Sequence, residues 1–335
     1  MDSFTQIVLG AAVSNAVLGK KMGNRSLLYG AVIGTIPDLD IIAGKFLSDP
    51  LSAIEIHRGF SHSIVFFILL SLLLAKAIQF AEKRVKISYR RVFTAVFLIL
   101  FTHSLLDIFT TWGTQIFWPW KEKIALKSIF VIDPLYTLPL LFFLYLSARL
   151  PKYSRKRYRR NTAGLILSTS YLLVTLVLQA VVSSKAADQL KNEKTAYIKI
   201  QAKPAAFTAV LWNIIAEDDD FFYLSDYSFL DTQPIQFKKY PKKKVLIKDI
   251  EKDASVQRLI RISENQYTIT QDSAGVLYFN DLRFGLLKDD PDDIQFAFSY
   301  KIIKKQTGVE IHEVAKKRRD GVQLIKKIIS RIKGN

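Results

Sequence analysis

Four long apolar runs, at about residues 63 to 80, 92 to 110, 129 to 148 and 162 to 182, constrain this chain more than any other feature. Each is close to the ~20 residues a helix needs to cross the hydrocarbon of a bilayer. All four lie in the first part of a 335-residue chain, whereas the remainder alternates polar and apolar residues with frequent Lys and Asp. The pattern predicts an α-helical multi-pass membrane bundle over residues 1–183, then a soluble, mainly β domain with a C-terminal amphipathic helix over residues 184–335. Two weaker apolar segments, about 4 to 18 and 26 to 43, are rich in small residues, and Gly30 and Gly34 form a GxxxG pair suited to close helix packing. These two either span the membrane or remain an interfacial or core pair.

Charge orients the bundle. The chain carries a formal net charge of +18, and its basic residues cluster between apolar segments: Lys20, Lys21 and Arg25; Lys83, Arg84, Lys86, Arg90 and Arg91; and Arg149 to Arg160. The positive-inside rule puts all three connections in the cytoplasm. Residues 44 to 62, 111 to 128 and everything after 183 then fall outside. Asp2, Asp38, Asp40, Asp49, Glu55, Asp107, Glu122 and Asp133 gather at that outer side, leaving Glu82 within. The start MDSFTQ lacks the basic region of a signal peptide, so the first helix is expected to stay. Cysteine is absent, which excludes disulfides and thiolate metal sites.

Histidine and carboxylate are costly in apolar surroundings and need a reason to be there. Three of the four histidines, His57, His62 and His103, lie with Asp38, Asp40 and Asp107 beside or inside the apolar runs. His103 and Asp107 stand i, i+4, one turn apart on one helix face, and can hold one metal, bridge two, or simply bond to each other across a helix interface. His57 and His62 are five apart, about 140° around a regular helix, so they cannot share one face. Gly59 offers a break between them. Ser61 is then expected to cap the next helix, leaving His62 in its first turn and His57 in the loop before it. Arg58 is available for an anionic substrate or a structural carboxylate. In IPDLD, taken as an extended segment, one of Asp38 and Asp40 can bind metal while the other orients a histidine; alone, the motif also suits a turn or cap. Asp2, Thr5 and Gln6 open the first helix on the same side, with Asp2 equally suited to capping. Asp133 before Pro134 reads as a cap. HExxH is absent, so the common zinc-protease arrangement is not supported.

The segments DSFTQIVLGAA, GTIPDLD, HRGFSHS and HSLLDIFTTWGTQIFWPW resemble the YdjM-like membrane-bound metal-dependent hydrolases over roughly residues 1 to 150. The downstream LWNIIAEDDDFFYLSDYS and DLRFG also look like the tail of longer members. The resemblance implies a divalent-metal hydrolase site at Asp38, Asp40, His57, His62, His103 and Asp107. Many relatives carry His at the position of Gln6, a departure that weakens any ligand there. The ligand order is more distantly similar to that of zinc-dependent phospholipase C and P1-type nucleases, which suggests phosphoester hydrolysis by fold-level analogy.

In the second half, AYIKIQA, FTAVLWNIIA, FFYLSDYSFL, KVLIKDI, YTITQD and IQFAFSYKI read as strands of an antiparallel sheet. VAKKRRDGVQLIKKIISRIKGN reads as one or two basic amphipathic helices, with His312 just before it as a solvated residue of a polar terminal helix. This tail and KKYPKKK either touch anionic headgroups or form a solvated face. No RNP-like signature or helix-turn-helix supports nucleic-acid binding, and no protein partner is implied.

The expected activity is attack on a phosphoester or other lipid-associated ester by metal-activated water, with zinc first and manganese second as the ion. His103, Asp107, His62 and Asp38 are the leading ligands, Asp40 and His57 are ligands, orienters or the base, and Arg58 is the phosphate contact. The expected location is the cell membrane, the inner membrane of a prokaryote, with the bilayer itself as partner. The competing class is a non-enzymatic membrane scaffold or metal-binding sensor.

Overall fold

The computed structural model describes residues 1–47, 49–288, 294–305, 308–314 and 321–335. The chain divides into two compact units, one of Met1–Phe46, Ile56–Ala180 and Lys203–Ala209, the other of Leu47–Glu55, Val181–Ala202 and Val210–Asn335. The first unit's long segment ends at Ala180, and Leu47–Glu55 and Lys203–Ala209 are each counted with the unit made mostly of the other part of the chain.

The first unit is helical. α1 (Ser3–Met22) starts where Asp2 accepts the Thr5 N–H at 3.0 Å and stops at Gly23, whose φ of 60° takes the chain out of the helix. α2 (Arg25–Ile33) does not run through to 43. Pro37 starts a separate 3-10 turn, Pro37–Leu39, followed by α3 (Asp40–Gly44), and the two apolar parts are bent by 40°. α1 and α2 meet backbone to backbone: a Cβ on Gly30 would stand 2.2 Å from the Gly10 carbonyl oxygen, and one on Gly10 2.3 Å from that of Gly30. After α4 (Pro50–Ile56) come a 3-10 turn at Phe60–His62 and α5 (Ile64–Ala81), which packs on α6 (Tyr89–Ile108). The cap of α5 is Ser63, which accepts from Phe66 N–H; Ser61, expected in that role, is used elsewhere.

α7 (Pro134–Ala148) has 15 residues and is shorter than the run predicted from 129, because Asp133 caps it and Pro134 begins it. α8 (Arg155–Asn192) follows. Among the described residues α5, α6 and α8 are long and apolar enough to cross a membrane, and α2 with Pro37–Gly44 can make a fourth, bent span. The basic connections collect at one end. There Arg25 pairs with Glu82 at 3.0 Å, and Arg157 of α8 donates to Asn15 of α1 and to Asn24 just before α2. At about 1.5 Å per residue, α1 carries Gln6 about 24 Å away from Met22 at that end.

The second unit contains two four-stranded sheets in which each strand lies beside its chain neighbour. One holds β1 (Lys199–Pro204), β2 (Leu211–Glu217), β3 (Phe221–Ser228) and β4 (Lys238–Pro241). After α9 (Ala254–Ile262), the other holds β5 (Tyr267–Gln271), β6 (Leu277–Lys288), β7 (Gln295–Lys305) and β8 (Gly308–Glu313), and α10 (Gly321–Ile332) closes the chain. KVLIKDI is not a strand: Lys244–Ile247 forms a 3-10 turn that buries Ile247 in the core. His312 lies on β8 instead of a terminal helix, exposed and paired with Glu310 at 3.0 Å. Residues 315 to 320 of the predicted tail helix lie outside the described residues. In KKYPKKK, Lys239 and Tyr240 pair with β3, and Lys242 is buried against Glu217 at 2.7 Å, so the run is not simply a solvated face.

The core of this unit includes a residue from far up the chain. Leu51 of α4 is buried with Val256 and Leu259 of α9, Ile269 of β5 and Phe279 of β6. Around it, Arg258 reaches Asp49 at 2.7 Å, Glu55 at 2.8 Å and Ser52 at 2.9 Å. Partial burial opposes charge on Glu55, but Arg258 and Arg261 outweigh it and hold the carboxyl below its ordinary range.

Candidate metal centre

The break in α2 decides where the two aspartates of IPDLD go. On the tight 3-10 turn, and not on an extended segment, Asp38 faces His62 and His103 while Asp40 faces His57 and the backbone of Arg58. The start of α5 supplies His62, and the last turns of α6 supply His103 and Asp107. Asp38, His62, His103 and Asp107 each offer one ligand atom, and these four atoms lie within 4.8 Å of one another.

Five of the six separations are 3.3–3.6 Å. His62 Nε2 stands 3.3 Å from His103 Nε2, 3.4 Å from Asp38 Oδ1 and 3.5 Å from Asp107 Oδ2. His103 Nε2 stands 3.6 Å from Asp38 Oδ1 and 3.5 Å from Asp107 Oδ2. With the sixth no longer than 4.8 Å, the point equidistant from the four atoms lies about 2.0–2.4 Å from each, a range that includes the bond lengths of zinc to imidazole nitrogen and carboxylate oxygen. Asp107 Oδ2 is buried without a hydrogen-bond donor. The donor set and the spacing therefore fit a divalent ion.

The surrounding groups fix the donors. His103 Nδ1 lies 2.7 Å from the Gly34 carbonyl oxygen, so that nitrogen carries the proton and Nε2 is left with its lone pair. Asp40 accepts from the Arg58 N–H at 2.9 Å and from Ser61 Oγ at 2.8 Å, touches His57 Nδ1 at 2.9 Å, and lies 3.4 Å from His62 Nδ1. Burial alone would discharge His62, but contact with Asp107, Asp38 and Asp40 lifts its imidazole to about 9, so a divalent ion held there would displace a proton from it. Arg58 sits in the left-handed region with φ 61°, a turn that sends its N–H to Asp40 and its guanidinium to Asp107 at 3.2 Å and Thr110 at 2.7 Å. Its Nε is buried without a partner.

Of the six residues singled out as ligands, four converge, while Asp40 and His57 stand beside them. Gln6 enters the same region: its amide nitrogen donates to the His103 carbonyl at 3.2 Å and to Asp107 Oδ1 at 3.1 Å, and its oxygen is buried without a partner. The Met1 amino group also contacts Asp107. Asp2 caps α1, and Asp133 caps α7 while accepting from the Tyr171 hydroxyl at 2.8 Å. Sequence reasoning missed the Gly34 carbonyl, Ser61 as a partner of Asp40, and Thr110. GxxxG flagged Gly34 for packing, but a backbone carbonyl leaves no residue-type signal.

Residues 1–183 match the family described as YdjM inner membrane protein. The chain is 26% identical over 202 residues to the uncharacterized protein YfhP of Bacillus subtilis (strain 168), covering 58% of this chain and 59% of that one. It is 31% identical over 109 residues to the inner membrane protein YbcI of Escherichia coli (strain K12), covering 32% and 61%. The chain thus spans about three fifths of the length of these curated relatives. No solved structure matches it.

Proposed function

The chain belongs to the YdjM inner membrane protein family, and from that premise we propose that it is a membrane-bound metal-dependent hydrolase acting on a phosphoester or another lipid-associated ester. The observation that carries the reading is the cage of Asp38, His62, His103 and Asp107, five of whose six edges are 3.3–3.6 Å. Two nitrogens and two oxygens without thiolate suit zinc, with manganese as the second choice. A divalent ion bound there supplies a lowered water pKa, toward ~7, and draws charge from an ester oxygen.

The protein's own residues do the rest. Asp40 orients His62 and, through Nδ1, holds the ring of His57, whose side chain is 22% exposed and more open than the cage. His57 is assigned as the base that takes a proton from the attacking water. The water oxygen bonds to phosphorus, or to carbonyl carbon in a carboxylic ester. The ester bond to the alcohol breaks, and the leaving oxygen takes up a proton, so one water is consumed for one acid and one alcohol. Arg58 steadies Asp107, and its unpartnered Nε is the group left for a phosphate oxygen. The basic connections of the first unit support a cytoplasmic basic end, with the site and the second unit outside. Reporter fusions after residue 190 test that; a C-terminus active as a cytoplasmic reporter and silent as a periplasmic one overturns it.

A second reading, a metal-binding sensor or scaffold, is favoured by the closure of the cage. His62, His103 and Asp107 have side chains 0–1% exposed and Asp38 14%, and four protein ligands are the habit of structural zinc. The experiment that separates the two is elemental analysis of the detergent-purified protein beside His103→Ala and Asp107→Ala, with turnover on phosphodiester and carboxylic-ester panels. Stoichiometric metal and metal-dependent turnover, both lost in the variants, are expected. Metal without turnover supports the sensor, and no metal after reconstitution ends both readings.

A further inference from the structure

A groove of about 590 Å³ runs between α2 and α5, lined by Leu28, Val32, Ile36, Leu74, Ala77 and their neighbours. It exists because α2 is pulled onto α1 by Gly30 and Gly34 while α5 packs on α6, and because Ala77 and Ala81 leave the groove-facing side of α5 shallow. Its volume is in the range of small-molecule sites, and its lining is apolar except at one end. There Arg25 donates to Glu82 at 3.0 Å and the Tyr29 hydroxyl donates to the same carboxylate at 3.2 Å, so the charges cancel and the groove ends. The other end is formed by Ile33 and Ile36, directly before Pro37 and Asp38.

We propose that this groove holds the hydrocarbon chain of a lipid substrate whose ester lies at the Asp38–His62–His103–Asp107 centre. The inference rests on the hydrolase reading above. Length is compatible with it: from Arg25 to Ile33 the helical rise is about 12 Å, with the turn to Ile36 beyond it, and one leaflet of a ~30 Å hydrocarbon layer is about 15 Å deep. Continuity supports it as well, since the apolar walls stop two residues short of a cage carboxylate. Hydrocarbon is no better solvated by leucine than by neighbouring lipid tails, so the walls alone add little affinity, and the ester held at the centre is what keeps a chain in the groove. Its effect is registration: a chain of the right length, laid along α2, brings its ester to the centre.

The test uses the full-length protein in phosphatidylethanolamine–phosphatidylglycerol vesicles, with Ala77→Trp and Leu28→Trp to fill the groove. The first probe is a phospholipid with a mid-chain diazirine. Labelling is expected to concentrate on α2 and α5 and to fall at least tenfold in Ala77→Trp; labelling no denser than at Leu173 and Val177 on the outward face of α8 overturns the proposal. The second probe is a pair of 4-nitrophenyl phosphodiesters whose other ester is methyl or hexadecyl. Both tryptophan variants should lose at least tenfold on the hexadecyl ester and less than twofold on the methyl ester. Groove labelling with equal losses on the two esters marks a structural lipid and overturns the substrate role. Turnover of neither ester, with stoichiometric metal, fails the hydrolase reading and the substrate role with it while leaving the groove a lipid site. Normal turnover without groove labelling fails the groove alone.

Discussion

At the scale of single residues, Asp38 and Asp40 are two positions apart and have different jobs. Asp38 contributes an oxygen to the cage, whereas Asp40 holds His57, Ser61 and the Arg58 amide around it. Asp38→Asn and His103→Ala should each abolish stoichiometric metal. Asp40→Asn should keep the metal but weaken it by about 10–100-fold, the usual effect of losing a group that orients a ligand; competition titration against a chelating dye separates the two outcomes. The residue types of this centre were legible, because imidazole and carboxylate in apolar sequence demand partners. The division of labour was not, since it depends on a 3-10 turn that one proline sets. Arg58 shows the same limit: its pairing with Asp107 follows from a left-handed backbone that its own residue type does not advertise.

At the scale of elements, the α1–α2 contact has a consequence for the centre. Gly34 supplies the carbonyl that fixes His103, and Gly30, one turn earlier, lets the two backbones touch. Gly30→Ala must push the helices apart, because its Cβ would meet the Gly10 oxygen at 2.2 Å. Reduced metal occupancy with His103 intact is the expected result, read by elemental analysis. The GxxxG pattern made the close packing legible, but Pro37 and the Asp133 cap moved helix boundaries that hydropathy alone drew as longer spans.

Strands with alternating aromatics were legible too. KVLIKDI deceived because its apolar residues pack the core from a 3-10 turn, so burial, not pairing, explains their hydrophobicity. The Arg258 cluster carries a pH dependence. The Glu55 carboxyl is held below its ordinary range, so its contribution is complete above the unfolded value of about 4.3 and is lost as pH falls through the lower folded one. Arg258→Ala should therefore flatten the acid limb of β-sheet melting by circular dichroism and cost about 1 kcal/mol at neutral pH, as partly exposed pairs do.

At the scale of the whole molecule, the division into a helical and a mainly β unit was legible in the contrast between apolar runs and alternating polarity. The exchange of Leu47–Glu55 into the second unit was not. Nothing in DPLSAIEI says which core will take Leu51, because that depends on α9 and β5, some two hundred residues later. Leu51→Ala should destabilise the second unit by about 2–5 kcal/mol, the cost of an emptied leucine site, measured as a lower melting temperature of the full chain. Removing residues 193–335 should reduce turnover more than metal content, because Asp38, His62, His103 and Asp107 all lie outside the exchanged segment.

The same segment imposes an order on biosynthesis. Asp40 and His57 are joined through a stretch whose core partners extend to Ile311. At about 5–20 residues per second, the ribosome needs roughly 13–50 s after Glu55 before those partners exist. In the later part of that interval α5 to α8 have been made while α4 still has nowhere to bury Leu51. The last strands of the chain are therefore the step that completes the loop between the two site motifs.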